Sequence, residues 1–75
     1  MTLDSGEIGR TYTVSQVSLP LSTGRRLEAL GMTEGTKITV LNSKRHGPLI
    51  IRLRGSRFAI GRKIAENIRV KEETP

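Results

Sequence analysis

The sequence contains no cysteine and no tryptophan, and its aromatic residues are one tyrosine and one phenylalanine. The absence of cysteine excludes a disulfide framework, a thiolate zinc site and a cysteine nucleophile. The scarcity of aromatic residues argues against the stacking platforms that bind single-stranded nucleic acid. No apolar run approaches the ~20 residues of a membrane-spanning helix. The first residues also lack the basic and apolar regions of a secretory signal, and we therefore expect a cytoplasmic protein.

Residues suited to catalysis are equally scarce. His46 is the only histidine and Asp4 the only aspartate, while Glu28, Glu34 and Glu66 lie far apart and do not recur at helical spacing. No nucleophile, base and orienting group can be assembled from this set, so we predict a protein without enzymatic activity and without a cofactor. His46 is the single candidate metal ligand, for weak Fe(II) or Zn(II) binding; the alternative is a solvated histidine in a turn between strands.

Basic residues are concentrated in one stretch of the chain, whose formal net charge is +6. The stretch between Gly35 and Ala65 contains no acidic residue and eight basic ones: Lys37, Lys44, Arg45, Arg52, Arg54, Arg57, Arg62 and Lys63. The remaining residues carry five bases and seven acids. This asymmetry predicts an acidic partner, which is nucleic acid, an anionic membrane surface or an acidic protein face. The alternative is a solvated face that keeps a small domain in solution.

Five short strands are predicted from apolar residues that alternate with polar ones at a period of two. The side chains expected to face the core are Tyr12 and Val14, Ile38 and Val40, Leu49, Ile51 and Leu53, Phe58, and Ile68 and Val70. Gly55 and Ser56 separate the third and fourth strands, and a glycine first in a two-residue loop predicts a type II′ turn. A strongly bent sheet closed into a small barrel accommodates strands this short, because closure removes exposed edges.

One short α-helix and one further helical turn complete the predicted mainly-β fold. Ser22 or Thr23 caps a helix that ends at Leu30, and Gly31 stops it in the left-handed conformation. Met32 then reaches back to the last turn of the helix, as in a Schellman ending.

The domain boundaries follow from composition. Residues 1–7 are predicted to be a flexible N-terminal segment, residues 8–71 the barrel and residues 72–75 a flexible tail. Residues 62–66 are predicted to form the single helical turn that carries the chain across one end of the barrel.

Residues 26–35, RLEALGMTEG, resemble the Leu-Gly-Met/Leu-x-x-Gly joint between helix and strand in the FeoA family, ferrous iron transport protein A. The resemblance extends over roughly residues 8–70, through Val40, Gly47-Pro48, Gly61-Arg62, Ala65, Ile68 and Val70. It implies an SH3-like β-barrel and a cytoplasmic accessory of Fe(II) uptake. The implied partner is FeoB, a membrane permease with a cytoplasmic GTP-binding domain, through which alone the protein would meet the inner membrane. Residues 42–46, NSKRH, depart from the family, whose members often carry an apolar-Pro approach there.

The residues predict a protein–protein binding module, and the resemblance implies that it acts on a FeoB-type permease. The candidate partner-binding residues are Arg52, Arg54, Lys37, Arg69, Arg45, Leu30 and Met32, and we expect Arg52 and Arg54 to lie beside Lys37 or Arg69. The residues expected to shape the fold are Gly31, Gly35, Gly47, Pro48 and Gly55. The alternative is a stand-alone SH3-like module that binds a transition metal or nucleic acid in metal-dependent regulation.

Overall fold

The fold has five strands and two α-helices, and the computed structural model describes residues 1–72. After a 3-10 helix at Leu3–Ser5 come β1 (Thr11–Val17), α1 (Leu21–Leu30), β2 (Lys37–Ser43), β3 (Leu49–Leu53), β4 (Ser56–Ile60), α2 (Arg62–Ala65) and β5 (Ile68–Glu72). No helix within these residues has the length and apolarity needed to cross a membrane.

The five strands form one antiparallel sheet in the order β4-β3-β2-β1-β5. Irregular pairing between Val14 and Gln16 in β1, and between Val40 and Asn42 in β2, marks two β-bulges. Bulges bend a strand and increase its twist, so the sheet can curve around a single core. In residues 1–72, β4 and β5 are the two end strands, and the described pairings do not join them.

The inner side of the sheet builds one hydrophobic core. Its members from the strands are Tyr12, Val14, Ile38, Val40, Leu49, Ile51, Leu53, Ile60, Ile68 and Val70, each at most 5% exposed. Leu27 of α1, Met32 and Ala65 of α2 join the same cluster. Burial of one large aliphatic side chain stabilises the fold by about 1.5–3 kcal/mol, so this cluster determines which face of each strand points inward. The predicted alternation of the strands is therefore confirmed.

The first seven residues pack against the barrel, contrary to the prediction of a loose segment. Leu3 is 0% exposed and belongs to the core cluster. The backbone N–H of Glu7 donates to the hydroxyl of Tyr12 at 2.8 Å, which holds the end of the segment. The segment is mostly polar, but the burial of Leu3, one of its two large apolar side chains, fixes its path. At the other end Glu72 belongs to β5, and residues 73–75 of the predicted tail lie outside the described residues.

The helix α1 begins earlier than predicted. Its first residue is Leu21, and the carbonyl of Pro20 accepts the first helical bond from the N–H of Gly24 at 2.8 Å. No side-chain hydrogen bond caps this end, so the predicted caps Ser22 and Thr23 are wrong. Both residues already lie inside the helix, where their hydroxyls cannot take the capping position.

The end of α1 follows the prediction. Gly31 has φ +100°, in the left-handed region, and its N–H donates to the carbonyl of Glu28 at 2.9 Å. The N–H of Met32 donates to the carbonyl of Leu27 at 2.8 Å. These two bonds define a Schellman ending.

The hairpin between β3 and β4 is present, but its turn differs from the prediction. Leu53 pairs with Ser56, so the two loop residues are Arg54 and Gly55 rather than Gly55 and Ser56. Both have positive φ, +52° for Arg54 and +81° for Gly55, which makes the turn type I′ instead of type II′. The preference for glycine in turns predicts the hairpin, but it did not indicate that an arginine would occupy the first left-handed position.

Candidate functional site

The outer side of the sheet carries a concentrated positive charge. Five exposed basic side chains, here called the basic face, project from the strands: Lys37, Arg52, Arg57, Arg69 and Lys71. Successive side chains of a strand point to opposite sides of the sheet. The alternation that places the apolar side chains in the core therefore places these basic side chains on the outer side. The only acidic residue in the five strands is Glu72.

The register brings part of this charge close together on β2, β3 and β4. Arg52 lies directly opposite Arg57 on one side and Thr39 on the other. Like charges that face each other across neighbouring strands destabilise a sheet. Lys37 shares the outer side of β2 with Thr39 and is therefore a diagonal neighbour of Arg52. Three cations from three adjacent strands thus form the densest part of the basic face.

Of the two predicted neighbours of Arg52, Lys37 is confirmed and Arg69 is not. Arg69 lies on β5 opposite Gln16, and both β1 and β2 separate β5 from β3. Arg69 shares its side of the sheet with Lys71, which pairs with Thr13. Sequence alone could not decide this point, because it gives the alternation within a strand and not the order of strands in the sheet.

The nearby acids are held by other groups. The carboxylate of Glu7 lies 2.9 Å from Nε of Arg10, and Glu72 forms a second ion pair with the same guanidinium. The charge of Glu7, followed by the hydrogen bond that Arg10 donates to Glu72, raises the pKa of Arg10 above its ordinary value. Both carboxylates are therefore engaged with Arg10, and together they exceed its charge by one.

Arg54 joins the basic face to the end of α1. A Cβ atom placed on Gly31 would lie 2.8 Å from Cδ and 3.0 Å from Nε of Arg54, so the arginine side chain lies across this glycine. The last carbonyls of a helix carry partial negative charge and favour a nearby cation. The basic face and the end of α1 are therefore contiguous.

The remaining predicted contact residues differ in accessibility. Leu30 is 42% exposed and Arg45 is exposed in the loop between β2 and β3. Met32 is 1% exposed and packs in the core, so its assignment as a partner contact is wrong. Of the residues predicted to shape the fold, Pro48 is exposed just before β3. Gly35 contacts β1, because its N–H donates to the carbonyl of Val14 at 2.8 Å.

Arg62 organises the loop between β2 and β3, a role that sequence analysis missed. Its Nε donates to the carbonyl of Gly47 at 3.3 Å, and Nη2 donates to Oγ of Ser43 at 3.1 Å and to the carbonyl of Lys44. Its Nη1 donates to the carbonyl of Asp4 at 3.2 Å. One guanidinium thus ties this loop to the N-terminal segment. Hydrogen bonds to carbonyls have no signature in sequence, and only the position after Gly61 singles this arginine out.

His46 lies exposed in this loop. Among residues 1–72, no group of three or more histidine, aspartate or glutamate side chains is placed to hold a metal ion. A site at His46 would therefore need ligands from water or from another chain, and it stays a prediction.

A groove of about 450 Å³ lies beside α1 and was not predicted. Its apolar lining includes Leu19 and Leu21, and the latter is 70% exposed. Arg25, Glu28 and Glu34 also line it, so the groove carries charges of both signs, unlike the basic face.

Comparison with known proteins identifies clear relatives. Residues 1–72 match the FeoA domain family. The chain is 33% identical over 64 residues to an Fe(2+) transport protein A of Methanocaldococcus jannaschii, with 85% of this chain and 77% of that protein aligned.

Solved structures show the same fold. The crystal structure of an iron uptake regulatory protein, FeoA, superposes with a TM-score of 0.90 and 32% identity over 97% of both chains. FeoA of Stenotrophomonas maltophilia, described as an SH3 domain protein and solved in complex with zinc, superposes with a TM-score of 0.81 and 25% identity, over 95% of this chain and 89% of that one. The predicted SH3-like barrel is therefore confirmed.

Proposed function

This chain belongs to the FeoA domain family of small SH3-like proteins associated with ferrous iron transport, and we propose that it is a binding module for a FeoB-type membrane permease. The docking surface is the basic face together with Arg54 and Leu30 at the end of α1. The target is an acidic surface on the cytoplasmic part of the permease, which includes its GTP-binding domain.

The observation that supports this proposal is the pairing of like charges across neighbouring strands of the outer sheet, where Arg52 lies directly opposite Arg57. Arg52, Arg57 and Lys37 lie on adjacent strands. The one acid of the strands, Glu72, is bound to Arg10. Holding like charges opposite one another costs stability, and an acidic partner removes that cost when it binds.

The mechanism is recognition rather than chemistry. Exposed cations of this kind accelerate the encounter with an acidic partner more than they deepen the affinity. Leu30 supplies an apolar contact next to Arg54, and a few buried anchor residues contribute most of the affinity of a protein interface. The protein works in the cytoplasm and reaches the inner membrane only through the permease.

The test is the association of the purified chain with the purified cytoplasmic domain of the permease, followed by surface plasmon resonance at low and high ionic strength. We expect the double variant Arg52→Glu, Arg54→Glu to associate on the order of tenfold more slowly and with a weaker dependence on salt. The matched control is Arg25→Glu, Arg26→Glu on α1, which changes the net charge equally and should associate much more nearly as the natural chain does.

Two results would contradict the proposal. The first is the absence of binding between the natural chain and the permease domain. The second is an equal loss in both double variants, because it would assign the effect to net charge alone. Duplex DNA in place of the permease domain tests the nucleic-acid alternative, for which binding should fall steeply as salt rises.

A further inference from the structure

The two end strands of the sheet are covered differently. The outer edge of β5 is occupied by the N-terminal segment, because the N–H of Val70 donates to the carbonyl of Met1 at 2.9 Å and Thr2 pairs with Arg69. Among the described elements, β4 forms extended contact with β3 alone. The barrel is therefore open along the outer edge of β4.

The register shows which backbone groups of β4 face this opening. In a two-residue hairpin the flanking pair, here Leu53 and Ser56, exchanges both backbone hydrogen bonds, and such pairs then alternate with non-bonded ones along the strands. Phe58 and Ile60 consequently bond to β3, while the N–H and C=O groups of Arg57 and Ala59 point away from it. Four backbone groups are thus aligned for a further strand.

The side chains along β4 specify what such a strand should carry. On the outer side, Arg57 lies opposite Arg52, so the edge presents paired positive charge. On the inner side, Phe58 is half-buried against the core, as is Ile64 of the adjoining α2. Alternate side chains of an added strand would therefore contact guanidinium groups on the outer side of the sheet. The side chains between them would contact apolar surface on the inner side.

We propose that the outer edge of β4 binds an extended segment of a partner protein in which acidic and aliphatic residues alternate. The segment adds a sixth strand, with its backbone bonded to Arg57 and Ala59. Its carboxylates lie over Arg57 and Arg52, and its aliphatic side chains cover the exposed part of Phe58. The inference rests on the proposed function, since the partner is then the permease, and it names the part of that partner that is recognised.

The first experiment uses a synthetic peptide of alternating aspartate and valine with blocked ends. Its binding to the isotope-labelled full chain is followed by amide chemical shifts and hydrogen exchange. We expect shifts centred on β4 and slower exchange of the amides of Arg57 and Ala59. A peptide of the same composition, with its aspartates in one block, should bind about tenfold more weakly because its side chains cannot alternate across a strand. Equal affinity of the two peptides, or shifts centred on the groove beside α1, would overturn the proposal.

Variants of the chain separate the backbone contribution from charge. Ala59→Pro removes an outward N–H without removing a bond to β3, and it should abolish peptide binding, whereas Ala59→Val keeps the N–H and should bind normally. Arg57→Glu should weaken binding more than its control, Arg26→Glu on α1. Far-UV circular dichroism verifies that each variant is folded. If Ala59→Pro is not, a peptide with alternate N-methyl groups tests the same bonds on the unaltered chain, and normal binding of that peptide would refute the proposal.

The two proposals fail in different ways. If the permease domain binds while the alternating peptide neither binds nor competes, the edge of β4 is not the site, and the proposed function stands. If the peptide binds β4 as described but the permease domain does not bind, the strand addition stands, and the partner is another protein.

Discussion

Replacement of Gly31 measures how much the connection between α1 and β2 is stabilised by having glycine, which lacks a side chain, at this position. Gly31 has φ +100°, where an L-residue is strained by about 1–2 kcal/mol. A Cβ atom there would also lie 2.8 Å from Cδ of Arg54. Because that neighbour is a flexible side chain, it can move, so most of the cost comes from the backbone. We expect Gly31→Ala to lower the free energy of unfolding by about 1–2 kcal/mol, and Gly31→Val to lower it further because a branched Cβ is worse tolerated at positive φ.

The assay is urea unfolding, followed by far-UV circular dichroism. The dependence of the unfolding free energy on urea concentration should be the same in every variant if unfolding is two-state. The control is Gly24→Ala inside α1, where the added Cβ meets no atom within 4 Å beyond the nearby helix backbone and its chain neighbours, and φ is not in the left-handed region. This control should stabilise the protein by about 0.5–1 kcal/mol, because alanine is the better helix former. Equal destabilisation by Gly31→Ala and Gly24→Ala would refute the reasoning about backbone conformation.

A double-variant cycle with Arg54→Ala isolates the steric part. If the arginine side chain contributes to the cost, Gly31→Ala should be milder in the Arg54→Ala background than in the natural one. An unchanged cost would show that Arg54 moves aside freely and that strain at Gly31 accounts for the whole effect.

Three further predictions follow from the described contacts. Arg62→Ala should lower the free energy of unfolding by about 1–3 kcal/mol and broaden the amide signals of the loop between β2 and β3, and Arg62→Lys should restore little, since an ammonium cannot reproduce the fork of bonds. Leu3→Ala should cost about 2–5 kcal/mol in urea unfolding, against little for the exposed Ile8→Ala; similar costs would mean that the N-terminal segment is not docked. If His46 binds metal, Zn(II) or Fe(II) should raise the melting temperature, and His46→Ala should abolish the rise; a rise that survives in the variant would place the ion elsewhere.

The strands could be predicted because burial selects one side of each of them. Ile38 and Val40 alternate with polar residues, and the same alternation that places them in the core places Lys37 outside it. The end of α1 at Gly31 could also be predicted, since a glycine after a helical pattern favours the left-handed conformation that ends a helix. Both features depend on short-range rules that a sequence displays directly.

The features that escaped prediction depend on long-range contacts or on unusual conformations. Leu3 lies in a mostly polar segment, and no periodicity marks it as part of the core. Arg54 adopts φ +52°, although arginine has no preference for that region. The bonds of Arg62 reach residues that are 15 to 58 positions away. The separation of Arg69 from Arg52 depends on strand order, which sequence alternation does not encode.

Tyr12 offers a consequence for spectroscopy. It is the only tyrosine in a chain without tryptophan, so near-ultraviolet emission of the protein comes from a single phenol. That phenol is 1% exposed, and its hydroxyl accepts a hydrogen bond from the backbone of Glu7. Release of the first residues from an otherwise intact sheet would alter the emission of Tyr12 while the far-ultraviolet signal stayed constant. The fluorescence of Tyr12 therefore reports whether the N-terminal segment is packed against the barrel, without an attached dye.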